Sequence, residues 1–194
     1  MLYFLRVITM NAYDFDKTIY RGDSTVDFIF WCVRKKPSLA ILLFSGVPAF
    51  GGYLLKQVEK TVFKEKFYRF LKGIPDIDAW VEEFWDSHQE NIKPWYLLQK
   101  EEDDVIISAS PEFLLRPICH RLGIRHLIAS RVDSRTGMYL GINCHGEEKV
   151  RRFRRVFGET PIQAFYSDSF SDAPMANLAE TAFLVDGDIL HPWN

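Results

Sequence analysis

Cysteine is scarce and odd in number, with three residues at 32, 119 and 144 and no C-x-x-C spacing. That pattern excludes a disulfide framework and a zinc knuckle, and leaves buried or inert thiols in a reducing compartment. Charge of one sign is lacking as well: 24 Lys and Arg stand against 26 Asp and Glu, a net charge of −2, so the whole-chain field favours no nucleic-acid partner. There is no repeat and no low-complexity tract. Met1 to Thr9 is too short and too little apolar for a signal peptide, so the cytoplasm is the expected compartment. Asn11 to Asp14 already looks like a complete strand end, which leaves both Met1 and Met10 as starts. What is present is 194 residues, 47% hydrophobic and 26% charged, which suits one globular domain, or one carrying an insertion, and rules out disorder.

Charge is uneven along the middle of the chain, and this marks a module. Arg34, Lys35 and Lys36 open a stretch without charge from Pro37 to Leu55, then 56–72 is mainly basic and 76–104 mainly acidic. Val62, Phe63, Phe67, Phe70 and Leu71 share a helical face, as do Ile77, Trp80, Val81, Phe84 and Trp85, so 23–98 reads as an all-helical unit. On either side lie short apolar runs: Leu5–Ile8 through Tyr13, Val105–Ile107, His126–Ala129, Gln163–Tyr166 and Ala182–Val185. They lack period-2 alternation and are separated by helix-length segments at 111–122 and 146–157, the signature of a parallel sheet covered on both faces. The predicted architecture is a three-layer α/β core, 1–22 and 99–194, with a helical insertion at 23–98.

Four polar clusters follow the C-terminal ends of predicted strands, where open α/β sheets place ligands. They are Asp14-Phe15-Asp16-Lys17-Thr18, Ser108-Ala109-Ser110, Lys149 within Gly146-Glu147-Glu148-Lys149, and Asp168-Ser169-Phe170-Ser171-Asp172. Converging carboxylates repel unless a cation sits among them, and oxygen-only ligands select Mg²⁺ over softer metals. A hydroxyl and a lysine on neighbouring strand ends would hold an anion against that cation, as phosphoryl transfer requires.

Bland readings stand beside these. Asp14 and Asp16 could satisfy loop amides, Lys149 could extend the solvated basic face expected of Arg151, Arg152, Arg154 and Arg155, and Asp172 could cap a helix ahead of Pro174. Ser110 is expected to cap the helix starting near Pro111. The five histidines show no metal spacing, and His145 alone lies near a cluster.

In order, the clusters resemble the four motifs of the haloacid dehalogenase superfamily, in its phosphoserine phosphatase-like branch: D-x-D-x-T at Asp14, Asp16 and Thr18, a strand-end Ser at Ser108, a basic residue at Lys149, and D-x-x-x-D at Asp168 and Asp172. The resemblance implies a Rossmann-like core with a helical cap between the first two motifs, and a phosphatase working through an aspartyl-phosphate. It makes Asp14 the nucleophile and Asp16 the general acid and base. Mg²⁺ would be held by Asp14, Asp168 and the main-chain carbonyl of Asp16, with Asp172 ordering a metal-bound water or Lys149. Ser108, Lys149 and the Ala109 amide would bind the phosphoryl oxygens.

Two departures from that branch bear on substrate. Lys17 stands where Gly is common, and Ser108-Ala109-Ser110 replaces Ser-Gly-Gly, which counts against phosphoserine. Asp23 matches an acidic residue that recognises a substrate amine, or else caps the first cap helix. Basic residues around Pro37–Leu55, with the Gly-x-x-Lys-Val form of the third motif, are similar to type C phosphatidylglycerophosphatases, which implies a phospholipid head-group phosphate as substrate. Gly46, Pro48, Gly51 and Gly52 interrupt that stretch, so three readings stay open: a buried hairpin or homodimer contact, peripheral contact of 34–56 with the inner membrane face, or a true span. A small-metabolite phosphatase, a phosphotransferase and a catalytically silent phosphate-binding protein are the alternative functions.

Overall fold

A computed structural model describes residues 10–44 and 65–193. The predicted strand portion at 5–8, the face residues Val62 and Phe63, and the stretch 45–55 lie outside them. A six-stranded sheet runs β3-β2-β1-β4-β5-β6, where β1 is Met10–Tyr13, β2 Val105–Pro111, β3 His126–Ser130, β4 Ile162–Ser167, β5 Ala179–Asp186 and β6 Ile189–Pro192. The first five are parallel, as the uninterrupted apolar runs predict, and β6 is antiparallel to β5.

The sequence reading missed β6. Its faces are mostly exposed, so no apolar run announces it. The available signal was the turn: Asp186 pairs with Ile189, and Gly187, at φ 59°, supplies the left-handed backbone that a two-residue hairpin needs.

Strand β1 lies at the centre with β2 and β4 on either side, so the chain reverses direction across the sheet at its C-terminal end. Tyr13, Tyr166 and Phe183 occupy matching register positions on β1, β4 and β5. Their rings stack in a row, 4.8 Å and 5.1 Å between centroids, and Trp95 closes on Tyr166 at 5.5 Å.

Trp95 belongs to the helical segment between β1 and β2, which contains α1 (Ser24–Lys35), α2 (Leu39–Phe44), a 3-10 turn at Arg69–Gly73, α3 (Ile77–His88) and α4 (Pro94–Gln99). Aspartates start the two long helices: Asp23 accepts from the Val26 amide and Asp76 from the Ala79 amide, each at 3.0 Å. Helix α1 buries Ser24, Phe28 and Cys32 at four-residue intervals, and α3 buries Val81, Phe84 and Trp85. Each large apolar side chain so buried is worth about 1.5–3 kcal/mol. Phe28 and Phe84 meet edge-on at 5.3 Å.

The helices α5 (Glu112–Arg121), α6 (Glu147–Phe157) and the short α7 (Ala173–Ala176) complete the layers. One apolar cluster runs without a break from Tyr13 and Ile106 under the sheet to Phe28 and Phe84, and the Trp85 indole donates to the Leu114 carbonyl on α5 at 2.7 Å. Among the described residues no helix is long and apolar enough to cross a membrane.

The three thiols are free and buried. Burial pushes Cys119 up to about 12 and Cys144 up to about 11, so neither supplies thiolate near neutrality.

Candidate active site

The four clusters meet in one cavity of about 540 Å³ at the C-terminal ends of β1, β2 and β4. The amide of Asp14 donates to the Tyr166 carbonyl at 2.9 Å, extending the β1–β4 pairing by one residue. The chain then turns tightly. Phe15 drops fully into the core, edge-on to Trp85 at 5.9 Å, and its carbonyl accepts from the amides of Ile19 and Tyr20 at 3.0 Å. With Phe15 turned inward, both flanking aspartates line the cavity. Lys17 completes the turn at φ 57°, the left-handed region, which accounts for glycine being common there.

Lys149 sits in the first turn of α6 and is 1% exposed. Its ammonium donates to Asp14 Oδ1 at 2.7 Å and to Asp172 Oδ2 at 2.6 Å. Burial works against its charge, but the two carboxylates outweigh burial and hold its pKa above the ordinary value. Burial pushes Asp14 up to about 7, with Lys149 opposing and Asp172 and Asp16 adding to the rise. Asp16 is pushed up to about 6 by burial and then by the Asp23 charge, while hydrogen bonds from Ser110 and Ser24 oppose. Burial also raises Asp168, with Lys17 opposing.

Ser108 is buried and its hydroxyl oxygen accepts the Ser110 amide at 3.1 Å. That bond leaves the hydroxyl proton for an anion in the cavity, which Ala109 also lines. Asp172 takes the position before α7 but makes no side-chain cap there; its Oδ2 also accepts from the Ser167 hydroxyl at 2.8 Å. Asp23 both caps α1 and lines the cavity.

Two expectations fail. Ser110 does not cap α5: Pro111 holds the cap position with no side-chain bond, and the Ser110 hydroxyl donates to Asp16 Oδ2. Pro is adequate at a helix start, which frees the serine for the nearby carboxylate. Nor do all four arginines of α6 form a solvated face. Arg152 reaches back to the Ala129 carbonyl at 2.7 Å and pairs with Glu148, its side chain 14% exposed. The sequence reading also gave Thr18 no task, yet its hydroxyl accepts the Asp168 amide at 2.9 Å.

The resemblance implies Mg²⁺, and the donors fit it. Five aspartates line the cavity against the two ammonium groups of Lys17 and Lys149, a negative excess that a hard divalent cation would offset. No three His, Cys, Asp or Glu side chains converge as a ready cage among the described residues. Mg²⁺ does not need one, because it usually binds through one or two carboxylates and keeps several waters.

A family model for haloacid dehalogenase-like hydrolases matches residues 12–177. Protein CicA of Caulobacter vibrioides is 30% identical over 184 residues, covering 87% of this chain and 82% of its own. A histidinol-phosphatase of Neisseria meningitidis is 29% identical over 185 residues, covering 72% and 83%. Among solved structures, a protein of unknown function from Bordetella pertussis aligns with TM-score 0.67 at 21% identity, over 90% of this chain and 88% of that one. A phosphoserine phosphatase captured as a phospho-aspartyl intermediate analogue aligns at 0.53 and 16%, over 90% and 84%. The last two show the shared fold. With the motif order, the strand-end cavity and the family match over most of its length, this chain belongs to the haloacid dehalogenase-like hydrolases, as a phosphatase of that family.

Proposed function

We propose that the protein is a Mg²⁺-dependent hydrolase of small, water-soluble phosphomonoesters, working through an aspartyl-phosphate on Asp14. The observation that carries this reading is the single ammonium of Lys149 held between Asp14 and Asp172 at the floor of the cavity. Lys149 occupies Asp14 Oδ1, so Oδ2 is the oxygen left to attack phosphorus. The ammonium opposes the rise that burial causes in the Asp14 pKa and so favours the ionised form a nucleophile requires, to which Mg²⁺ would add when bound. As the phosphorus–oxygen bond to the alcohol breaks, Asp16 protonates the leaving oxygen; a pKa near 6 gives it a useful protonated fraction near neutrality. Asp16 then takes a proton from the water that attacks the aspartyl-phosphate, returning Asp14 and inorganic phosphate.

Ser108, the Ala109 amide and Lys149 hold the non-bridging oxygens of the phosphoryl group as it moves to Asp14. Asp14, Asp168 and the Asp16 carbonyl would hold Mg²⁺, which when bound screens the phosphoryl group from the carboxylates around it. The helical segment 23–98 acts as a cap on the core formed by 1–22 and 99–194, with Asp23 and α1 facing the leaving alcohol. The buried thiols suit a cytoplasmic enzyme.

A small substrate is favoured over a phospholipid by the name of the neisserial relative and by the basic flank at 34–36. Lys35 pairs with Glu83 and lies 4.8 Å over the rings of both Trp31 and Trp80, and Lys36 donates to the Gly73 carbonyl at 2.9 Å. Both are engaged within the protein and are poor anchors for an anionic surface. The test is a panel of phosphomonoesters with Mg²⁺ that includes histidinol phosphate, phosphoserine and a phospholipid monoester in vesicles. The small soluble esters should give the higher kcat/KM. A preference for the vesicle substrate would return the phospholipid reading, and no hydrolysis of any ester would favour a silent phosphate-binding protein.

A further inference from the structure

The carboxyl of Asp16 is gripped at both oxygens. Oδ1 accepts the Ser24 amide at 2.7 Å, and Oδ2 accepts the Ser110 hydroxyl. The Ser110 oxygen in turn lies 3.0 Å from the Thr25 hydroxyl. Ser24 and Thr25 belong to the first turn of α1, whereas Ser110 is the last residue but one of β2 and is 5% exposed. Two donors arriving on two oxygens fix both the rotation and the plane of a carboxyl group. One donor alone leaves it free to swing about the remaining bond.

We propose that Ser110 is a positioning residue for Asp16, and that the Thr25–Ser110–Asp16 chain of hydroxyls ties the aim of that carboxyl to the seating of α1 over the cavity. The proposal rests on the reading of Asp16 as the general acid. A glycine or alanine at 110 would leave Oδ2 without this donor, so the serine is a feature of this chain's own Ser-Ala-Ser segment. A hydroxyl suits the place because it both donates and accepts. It donates to Asp16 Oδ2 while its own oxygen stays within hydrogen-bond reach of the Thr25 hydroxyl. A shift of α1 away from the sheet removes the Ser24 amide and the Thr25 hydroxyl together, so the acid is correctly aimed only with the cap helix in place.

The experiment compares phenyl phosphate with 4-nitrophenyl phosphate, two substrates of similar shape whose leaving groups differ in their need for a proton. Ser110→Ala should lower kcat on phenyl phosphate about tenfold, the loss of one hydrogen bond to a charged group. Its kcat on 4-nitrophenyl phosphate should change much less, which also shows that the variant is folded. KM should stay within about twofold on both, as expected when substrate binding is untouched. Thr25→Val should err in the same direction by less, and Ser110→Thr should restore the wild-type ratio of the two substrates. In an Asp16→Asn background Ser110→Ala should cost nothing further, because Ser110 acts through that carboxyl. Equal losses on both substrates, a change confined to KM, or a full additional loss in the Asp16→Asn background would overturn the proposal. The two readings separate cleanly. If Asp16→Asn itself loses the same factor on both substrates, the acid reading fails and takes this proposal with it. If Asp16→Asn discriminates between them and Ser110→Ala does not, only the positioning role falls.

Discussion

The hydroxyl of Thr18 accepts the backbone amide of Asp168 at 2.9 Å, joining the loop after β1 to the loop after β4 across 150 positions of sequence. Thr18 is fully buried, so this bond has no water to replace it. It explains why a threonine closes the first motif: the side chain sets where the backbone of the fourth begins, and with it the Asp168 carboxylate.

Thr18→Val keeps the shape and strands that amide. The expected result is a stability loss of about 1–3 kcal/mol, the cost of a buried unsatisfied donor. The Mg²⁺ concentration needed for half-maximal activity should rise alongside. Thr18→Ser should recover most of both. Thermal melts and a Mg²⁺ titration check this, and an unchanged Mg²⁺ requirement would show that the bond does not place Asp168.

Lys17→Gly should stabilise the protein by up to about 1 kcal/mol, because a left-handed φ of 57° is strained for lysine and free for glycine. Lys17→Ala removes the same charge but keeps the strain, so it should bring no such gain. A pair of thermal melts separates backbone strain from charge.

Asp14 and Asp16 carry folded-state pKa values of about 7 and about 6, both raised by burial. A raised value means that the folded state binds more protons than the unfolded one between the ordinary carboxylate range and those values. The stability this contributes is full below the ordinary carboxylate pKa of about 4 and is lost as pH rises through 6 and 7. The metal-free protein should therefore melt at lower temperature at pH 8 than at pH 5. Asp14→Asn should flatten part of that slope. A metal-free melting temperature that rises across this interval would contradict the carboxylate crowding.

EDTA should abolish turnover and Mg²⁺ should restore it, with Ca²⁺ a poor substitute because it relaxes the octahedral geometry. Asp168→Ala should weaken Mg²⁺ binding, and so raise the Mg²⁺ concentration needed, more than Asp172→Ala, since Asp172 spends its Oδ2 on Lys149 and Ser167. The reverse order would exchange their roles.

The parallel strands were legible because fully buried strands such as Val105–Ile107 need unbroken apolar runs, and the two α3 and α5 spans followed from helical spacing and turn residues. Strand β6 was not, because an exposed edge hairpin leaves only a Gly in its turn as a trace. Lys149 reaches the cavity from the first turn of α6, well beyond the end of β3, whereas the positions of Asp14, Asp168 and Asp172 in it could be anticipated because each follows a strand end. The partners of Ser110, Thr18 and Arg152 could not. Each bridges elements distant in sequence, and a short polar side chain beside a Pro or in a charged run carries a plausible local role that only packing can displace.

The central claim is the covalent step on Asp14, and acid quenching during turnover tests it most directly. Protein stopped in this way and digested should carry a phosphoryl group on the peptide containing Asp14, lost on treatment with hydroxylamine as an acyl phosphate is. Asp14→Asn should carry none and turn over no substrate. Turnover by wild-type protein with the phosphoryl group on another residue, or continued steady hydrolysis by Asp14→Asn, would contradict the account.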